Sequence, residues 1–561
     1  MKNKSLIVIA FCVFSFACSK KGSGNDNGGI NHSPQASVTA ELTSVNPFSF
    51  KFIVTATDQD IDPLTYNWDF GEGTLKSGTS TENFQYAPGK NYVVKVKVSD
   101  GKSTPVEVTA NISTKSTDIA IDFSKNHQVM EGFGGFGAMK EYWASGPFES
   151  DAFVNTLIND LGLTILRDNL TSSFEPVNDN NDPFVTDLSK FNINSTITGL
   201  DEPLSEHLNY LKKMHDAGLQ KLVISVWSPA VWMKYNNQPG NGTKDQNSAP
   251  AYTTNPTTTS NQLKTNMYDE FAEMCVAYVK ILKQQTGIDI YALSIQNEPR
   301  FSQFYSSCVY DGDAMRDVLK VVGKRFHDEG LTIKLFLPED VGYLQGVESM
   351  IAPTLADASA RQYADIIAVH GYDLDGVTAA STSAQTWQTM YSWGAPYNKP
   401  LWMTETSGYD NTADGAMKLA KAMYTAIKFG NVSAWLHWSL STTTLDSYSL
   451  MSSSGEKSKR YFVSKNFYKY IRPGAIRNDA DAPDGTNIYP LAFQHAANNT
   501  KTIILINDNG SAKSIKLTGN NMPIQFNMFV TSATDDAKDY GALNSSDIIL
   551  LQPNSVVTLF K

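Results

Sequence analysis

The feature that most constrains this chain is a unit repeated through its middle: an amphipathic helical stretch, a glycine, then a short apolar run. In one copy Leu204, Leu208, Leu211 and His215 share a helical face, Gly218 follows, and Leu222-Val223-Ile224-Ser225-Val226-Trp227 reads as a strand. Glycine ends helices because it enters the left-handed conformation without a side-chain penalty. A strand apolar along its whole length is buried on both faces, as in a parallel sheet covered by helices. The unit returns as a helix over Met267–Gln285, Gly287 and a strand over Tyr291–Gln296. It returns again as Met315–Glu329, Gly330 and Ile333–Leu337, and as Asp414–Phe429, Gly430 and Val432–Trp438. This series predicts a (β/α)8 barrel in preference to an open doubly wound sheet. GFGGFG at Gly132–Gly137 superficially matches a phosphate-binding turn, but no tightly following helix supports that, and we read it as a tight first loop of the barrel.

At 561 residues the chain is too long for a single core. The expected organisation is a signal segment over 1–17, a flexible tether over 18–32, an immunoglobulin-like β-sandwich over 33–116, a strand over 117–131 that joins a side β-domain, the barrel over 132–455, and a side β-sandwich over 456–561. Met1-Lys2-Asn3-Lys4 is a basic start, and Ser5–Ala17 is apolar but too short to span a bilayer. Cys18 directly after Ala17 resembles a bacterial lipoprotein signal, which implies a lipid on Cys18 and an anchored protein in the cell envelope, at the outer membrane or cell surface. The net charge of −11 argues against nucleic acid as a partner. No cysteine spacing suggests zinc, and neither a metal nor a cofactor is expected. Cys275 and Cys308 can pair or remain buried thiols. A monomer is expected.

The first folded region carries alternating runs such as Tyr92–Val98, separated by turn clusters. TDQDIDPLTYNWDFGEG and YAPGKNYVVKVKVSDG there resemble the PKD type of immunoglobulin-like module. Asp58, Asp60 and Asp62 can hold a cation, although a solvated acidic turn is the simpler account.

In a (β/α)8 barrel, chemistry sits where the strands end at the C-terminal face. The polar residues ending the apolar runs are Arg167, Trp227-Ser228, Asn297-Glu298-Pro299, Glu339, His370-Gly371-Tyr372, Glu405 and Trp438. Three carboxyl groups, an arginine, a histidine and several aromatics should therefore converge on one rim. Cleaving a glycosidic bond with retention needs two carboxyl groups about 5–5.5 Å apart, one attacking the anomeric carbon and one moving the proton. A neighbouring carboxylate and partial burial raise the acid, and Arg167 would keep its partner ionised. Pro299 fixes the turn after Glu298, and Asn297 can bond a sugar hydroxyl.

IQNEP and WMTET resemble the clan of barrel glycosidases with the acid/base on strand four and the nucleophile on strand seven. EGFGGFGAM, ILRDNL, SVWSPAVWMK, SIQNEPRF, AVHGY, LWMTETSG and KSKRYFVSKNFYKYIRPGAIR together resemble glycoside hydrolase family 30. That resemblance implies a barrel with an appended β-sandwich, Glu298 as acid/base and Glu405 as nucleophile. It implies substrate contacts at Asn297, Arg167, Trp227, Trp232, His370, Tyr372 and Trp438, with Arg167 and Tyr372 orienting Glu405. Trp435 is expected in the core, because strand alternation points it away from Trp438.

YSSCVYDG from Tyr305 and the KSKRYFVS stretch look most like the xylanase branch. Glucuronic-acid-dependent members hold the acidic side group with an arginine after strand eight, and His437–Leu450 contains none. A neutral β-linked polysaccharide is expected, xylan first, β-1,6-glucan second, and exo-action on short β-linked sugars third. The competing class is an inactive glycan-binding surface protein, which the retained carboxyl pair argues against.

Overall fold

The computed structural model describes residues 31–137, 150–194, 204–242, 260–341, 344–372 and 383–561. Cys18 and the signal segment lie outside the described residues. The chain divides into two units, one within the first 113 residues and one built on Thr114–Lys561.

The first unit is all β, with strands Gln35–Val45, Phe48–Thr57 and Thr81–Tyr86 in one sheet and Lys76–Gly78, Thr65–Asp69, Asn91–Ser99 and Val106–Ser113 in another. Trp68 is fully buried, its indole nitrogen donates to the Thr79 carbonyl at 3.0 Å, and Phe70 stacks beside it at 5.5 Å. The acidic turn differs in detail from expectation. Asp100, not Asp60, approaches Asp58 and Asp62. Asp60 turns to His32, and the Lys102 ammonium sits on Asp62 at 2.6 Å.

The second unit contains a closed barrel of eight parallel strands. They are β1 (Gly132–Phe136), β2 (Ile165–Leu170), β3 (Lys221–Val226), β4 (Ile290–Ser294), β5 (Lys334–Asp340), β6 (Ile366–His370), β7 (Leu401–Glu405) and β8 (Val432–His437). The helices used below are α1 (Asp151–Asn155), α2 (Leu204–Asp216), α3 (Tyr268–Thr286), α4 (Gly312–Asp328), α5 (Leu344–Ala356), α6 (Ala384–Gly394), α7 (Ala413–Phe429) and α8 (Lys459–Tyr468). Local chemistry sets several boundaries. Asp311, Thr412 and Ser458 each accept an amide proton of the following turn as N-caps. Gly218, Gly287 and Gly330 take positive φ where helices stop.

Two expectations change here. The GFGGFG segment is not a loop but strand β1, hydrogen-bonded between β8 and β2. A Cβ on Gly134 would lie 1.8 Å from the Ile165 carbonyl oxygen, so β1 and β2 pair here only over bare backbone. In α2 the inward face is Leu208, Leu211 and Met214, joined by His207 and Tyr210, whereas His215 is exposed. By angle His215 still falls within that stripe, but it stands one residue from the end of the helix.

Alternation along the strands separates two cores. Ile165, Val223, Ala292, Phe336, Ile366, Ala368, Trp402, Ala434 and Leu436 fill the barrel interior. Their neighbours, such as Leu166, Leu222, Leu293, Ile367, Met403 and Trp435, pack outward against the helices. Each fully buried Leu, Ile, Val or Phe contributes about 1.5–3 kcal/mol.

Helix α8 packs on α7 and β1, so the helical layer of the barrel extends past residue 456, where the side domain was expected to begin. The side domain is a nine-stranded sheet in which Thr117–Val129 lies between Ile476–Asp481 and Lys513–Asn520. Strand Thr500–Asn507 is apolar on both faces. Ile503 and Leu505 point into the side domain's own core, and Ile504 and Ile506 face the barrel's.

Candidate active site

Two positional devices aim the carboxyl groups at one point. Along β7, Trp402 faces inward, so plain alternation would turn Glu405 outward. The ladder between β6 and β7 pairs Val369 with Met403 and then His370 with Glu405. The extra residue, Thr404, brings Glu405 onto the inner side. On β5 the ladder pairs Pro338 with Ala368 and then Asp340 with Val369, which inserts Glu339 in the same way. Glu298 follows β4 with φ of +47°, and Glu339 has φ of +53°. Left-handed backbone at a residue with a side chain costs on the order of 1–2 kcal/mol, and the surroundings hold it. The Glu298 amide donates to the Glu339 carbonyl at 3.0 Å, and the Asn297 amide to the Val226 carbonyl at 2.7 Å.

Arg167 is the hub. Its Nε donates to Glu339 Oε1 and Ser225 Oγ, both at 3.0 Å, its Nη1 to Glu405 Oε2 at 2.7 Å and its Nη2 to Asn297 Oδ1 at 2.7 Å. Tyr372 donates to the other oxygen of Glu405 at 3.2 Å. His370 lies among the three carboxyl groups, with Nδ1 3.1 Å from Glu298, and Nε2 3.6 Å from Glu339 and 4.0 Å from Glu405. One oxygen each of Glu298 and Glu405 and a ring nitrogen of His370 lie within 4.8 Å of one another.

Charge follows from this packing. Burial raises the Glu339 carboxyl, but the Arg167 guanidinium outweighs it and brings the group down to about 2. Burial lowers His370, but the Glu405 charge and the contacts to Glu298 and Glu339 outweigh it, and the imidazole rises to about 10. Burial pushes Glu405 above the ordinary carboxyl range, opposed by His370 and Arg167 and assisted by the charges of Glu298 and Glu339. Arg167 and His370 thus set two cations among the three carboxyl groups, Arg167 on Glu339 and Glu405 and His370 nearest to Glu298.

The aromatic wall is Phe136, Trp227, Tyr305 and Trp438. Phe136 lies 4.4 Å from Trp438 and 5.7 Å from Trp227 between ring centroids, and Tyr305 lies 5.7 Å from Trp227. Phe136 also faces the Arg167 guanidinium at 5.5 Å.

The expected residues thus separate into three groups. Glu298, Glu405, Asn297, Trp227, Tyr372 and Trp438 meet at the opening. Arg167 and His370 were expected to bind substrate but are both 0% exposed, and they reach the opening only through the groups they hold. Trp232 lies on the turn Val231–Met233, where its indole nitrogen donates to the Glu175 carbonyl at 3.2 Å. Phe136, Tyr305, Ser225 and the bridging role of Glu339 were not anticipated. Phe136 lies in the segment mistaken for a loop, and Glu339 stood among the strand-end residues without a role. Trp435 is fully buried as expected. Cys275 and Cys308 are both buried free thiols.

Residues 31–115 match the family model described as PKD domain. The second unit has relatives of known structure. It superposes on a GH30 endoxylanase from Clostridium papyrosolvens C71 with a TM-score of 0.61 at 26% identity, covering 79% of this chain and 99% of that one. It matches the glycoside hydrolase family 30 subfamily 8 xylanase Xyn30A from Clostridium acetobutylicum with a TM-score of 0.60 at 25% identity and the same coverage. The relatives of this barrel are family 30 glycoside hydrolases. In sequence, the glucuronoxylanase XynC of Bacillus subtilis (strain 168) is 27% identical over 259 residues, 45% of this chain and 56% of that protein. The endo-1,6-beta-D-glucanase neg1 of Aspergillus fumigatus is 25% identical over 299 residues, 48% of this chain and 55% of that protein. The chain thus spans little more than half the length of these two relatives. Glu298 follows strand β4 and Glu405 ends strand β7.

Proposed function

We propose that this chain is a retaining glycoside hydrolase acting on a β-linked polysaccharide, with xylan as its substrate. The observation that carries this is the Glu298–Glu405 pair, whose nearest oxygens lie within 4.8 Å beneath an aromatic wall. That spacing suits direct attack rather than an interposed water. Glu405, with donors on both oxygens, attacks the anomeric carbon as a carboxylate. Glu298 carries the proton and gives it to the glycosidic oxygen as that bond breaks. Glu298, now ionised, takes a proton from water, which displaces Glu405 and releases the sugar with its configuration retained. Asn297, oriented by Arg167, contacts a hydroxyl beside the reacting carbon.

Similarity to glucuronoxylanase and to family 30 xylanases supports xylan, and similarity to an endo-1,6-glucanase supports β-1,6-glucan as the second reading. Independence from glucuronic acid rests on the loop after β8. The arginine that touches this loop, Arg460, is fully buried and donates to the carbonyls of Tyr409, Asp446, Ser447 and Ser449. Its guanidinium is therefore committed to backbone. Export with a lipid on Cys18 belongs to the same proposal and places the enzyme where polymeric glycans are met.

An aryl β-xylobioside distinguishes the roles. Glu405→Ala should lose at least about 10⁴-fold in turnover, and azide should restore it with an α-glycosyl azide as product. Glu298→Ala should instead yield the β-azide. An active Glu405→Ala enzyme, or an inverted sugar from the wild type, refutes the assignment. A product profile on xylan, glucuronoxylan and β-1,6-glucan decides the substrate.

A further inference from the structure

A buried ion pair lies beside the opening and takes no part in the chemistry above. Glu298, Pro299, Arg300 and Phe301 make one turn, closed where the Phe301 amide donates to the Glu298 carbonyl at 2.8 Å. Proline at the second position of such a turn presets its backbone. The Glu298 carboxyl and the Arg300 guanidinium therefore leave the same short turn. Arg300 Nε donates to Asp340 Oδ2 at 2.5 Å, and Nη2 donates to the Val341 carbonyl at 3.0 Å. Both side chains are enclosed, Arg300 at 3% and Asp340 at 0% exposure. Asp340 directly follows Glu339, the residue inserted into the β5 ladder. The Glu339 carbonyl in turn accepts the Glu298 amide at 3.0 Å. One backbone bond and two guanidinium bonds thus tie the turn to the end of β5. Helix α5 closes another side. A Cβ on Gly346 would lie 1.8 Å from Arg300 Nη1, so the guanidinium fills the space a side chain there would need. Burial raises the Asp340 carboxyl to about 6, opposed by Arg300, and the negative charge of Glu298 adds to the rise.

We propose that Arg300 and Asp340 are positioning residues for the acid/base: their pair fixes the turn that carries Glu298 against β5 and so sets where its proton is delivered. The proposal rests on the reading of Glu298 as the acid/base. Glu298 needs such support, because its φ of +47° is a conformation that persists only where the surroundings impose it. A buried ion pair adds little net stability over apolar side chains of similar volume, whereas the planar fork of arginine fixes direction. Here that fork holds two acceptors on the strand end that also presents Glu339 to Arg167. The turn bearing the acid/base and the strand end bearing the counter-charge to Arg167 are thereby one rigid piece.

The test uses the leaving group, because proton delivery matters only where the departing oxygen is basic. Dinitrophenolate leaves without a proton, and phenolate needs one. The full chain is assayed on dinitrophenyl and phenyl β-xylobiosides, and kcat/KM is compared, since it reports formation of the glycosyl-enzyme. A catalytic group displaced by about 1 Å costs on the order of 100-fold. Arg300→Met should lose about that much on the phenyl substrate and far less on the dinitrophenyl one, so the ratio of the two should rise at least about 30-fold over wild type. Glu298→Ala should raise the same ratio further. Arg300→Met/Asp340→Leu should recover the thermal midpoint that Arg300→Met loses, because no charge is left unpaired, and should keep the raised ratio. Should Arg300→Met not fold, Arg300→Lys keeps the charge but not the fork, and should raise the ratio at least about fivefold. Equal losses on both substrates, a wild-type ratio in the folded Arg300 variant, or a ratio that returns to normal with the midpoint in the double variant overturns the proposal. Glu298→Ala without a raised ratio overturns the acid/base reading and this proposal with it. A raised ratio in Glu298→Ala but not in the Arg300 variant overturns this proposal alone.

Discussion

Replacing Arg167 with methionine keeps most of the side chain's volume and removes its charge and donors. In the wild type that guanidinium is wholly buried and bonds Glu339, Glu405, Asn297 and Ser225 at once. Glu339 is also wholly buried, and its carboxyl lies at about 2, below the ordinary carboxyl value of about 4.5. That displacement corresponds to about 3 kcal/mol of folding free energy at neutral pH. The sign follows from the depressed value. The contribution is complete above about pH 4.5 and is lost as pH falls toward 2, with about half remaining at pH 3. Without Arg167, burial would act on Glu339 unopposed, so the full cost at pH 7 should reach about 3–5 kcal/mol. Urea unfolding of wild type, Arg167→Met, Glu339→Gln and the double variant measures this as a cycle. The double variant should recover most of the stability lost by Arg167→Met, because no charge is left unpaired. It should not recover activity, because Glu405 and Asn297 still lack their donor. A cost below about 1 kcal/mol for Arg167→Met, or a double variant no more stable than that single one, would refute the placement of Arg167 as the charge that balances Glu339.

His370 predicts the opposite limb. Its raised value of about 10 means that its contribution is complete below about pH 6.5 and is lost as pH rises through 10, so the thermal midpoint should fall across that window in wild type and stay flatter in His370→Gln. Gly134→Ala should unfold the barrel or cost at least about 3 kcal/mol, measured by circular dichroism melting, because its methyl group would meet the Ile165 backbone at 1.8 Å. Cys275 and Cys308 should resist alkylation in the native protein and react after denaturation, read by peptide mass mapping, since both are buried and burial raises both thiols.

Much of the architecture was legible in the linear order of residues, because helix, glycine and apolar strand each carry their own local physics. The strand expected over 117–131 could be assigned to the side domain, where Thr117–Val129 lies. Strand ends also nominated Glu298 and Glu405. Strand β1 was misread because glycine normally signals a turn. Here it answers to Ile165 on strand β2, a residue brought against it only when the two strands pair.

What the sequence by itself determined was the barrel and the set of polar residues at its rim, since periodicity and strand ends are local properties. The tertiary structure decided which way those residues face and what charge they bear. Alternation from Trp402 would have turned Glu405 away, and only the extra residue in the β6–β7 ladder turns it inward. Arg167 and His370 became buried counter-charges rather than substrate contacts because three carboxyl groups from three strands surround them. Electrostatic energy depends on distances through space, and residues far apart in the chain acquire those distances only when the strands close.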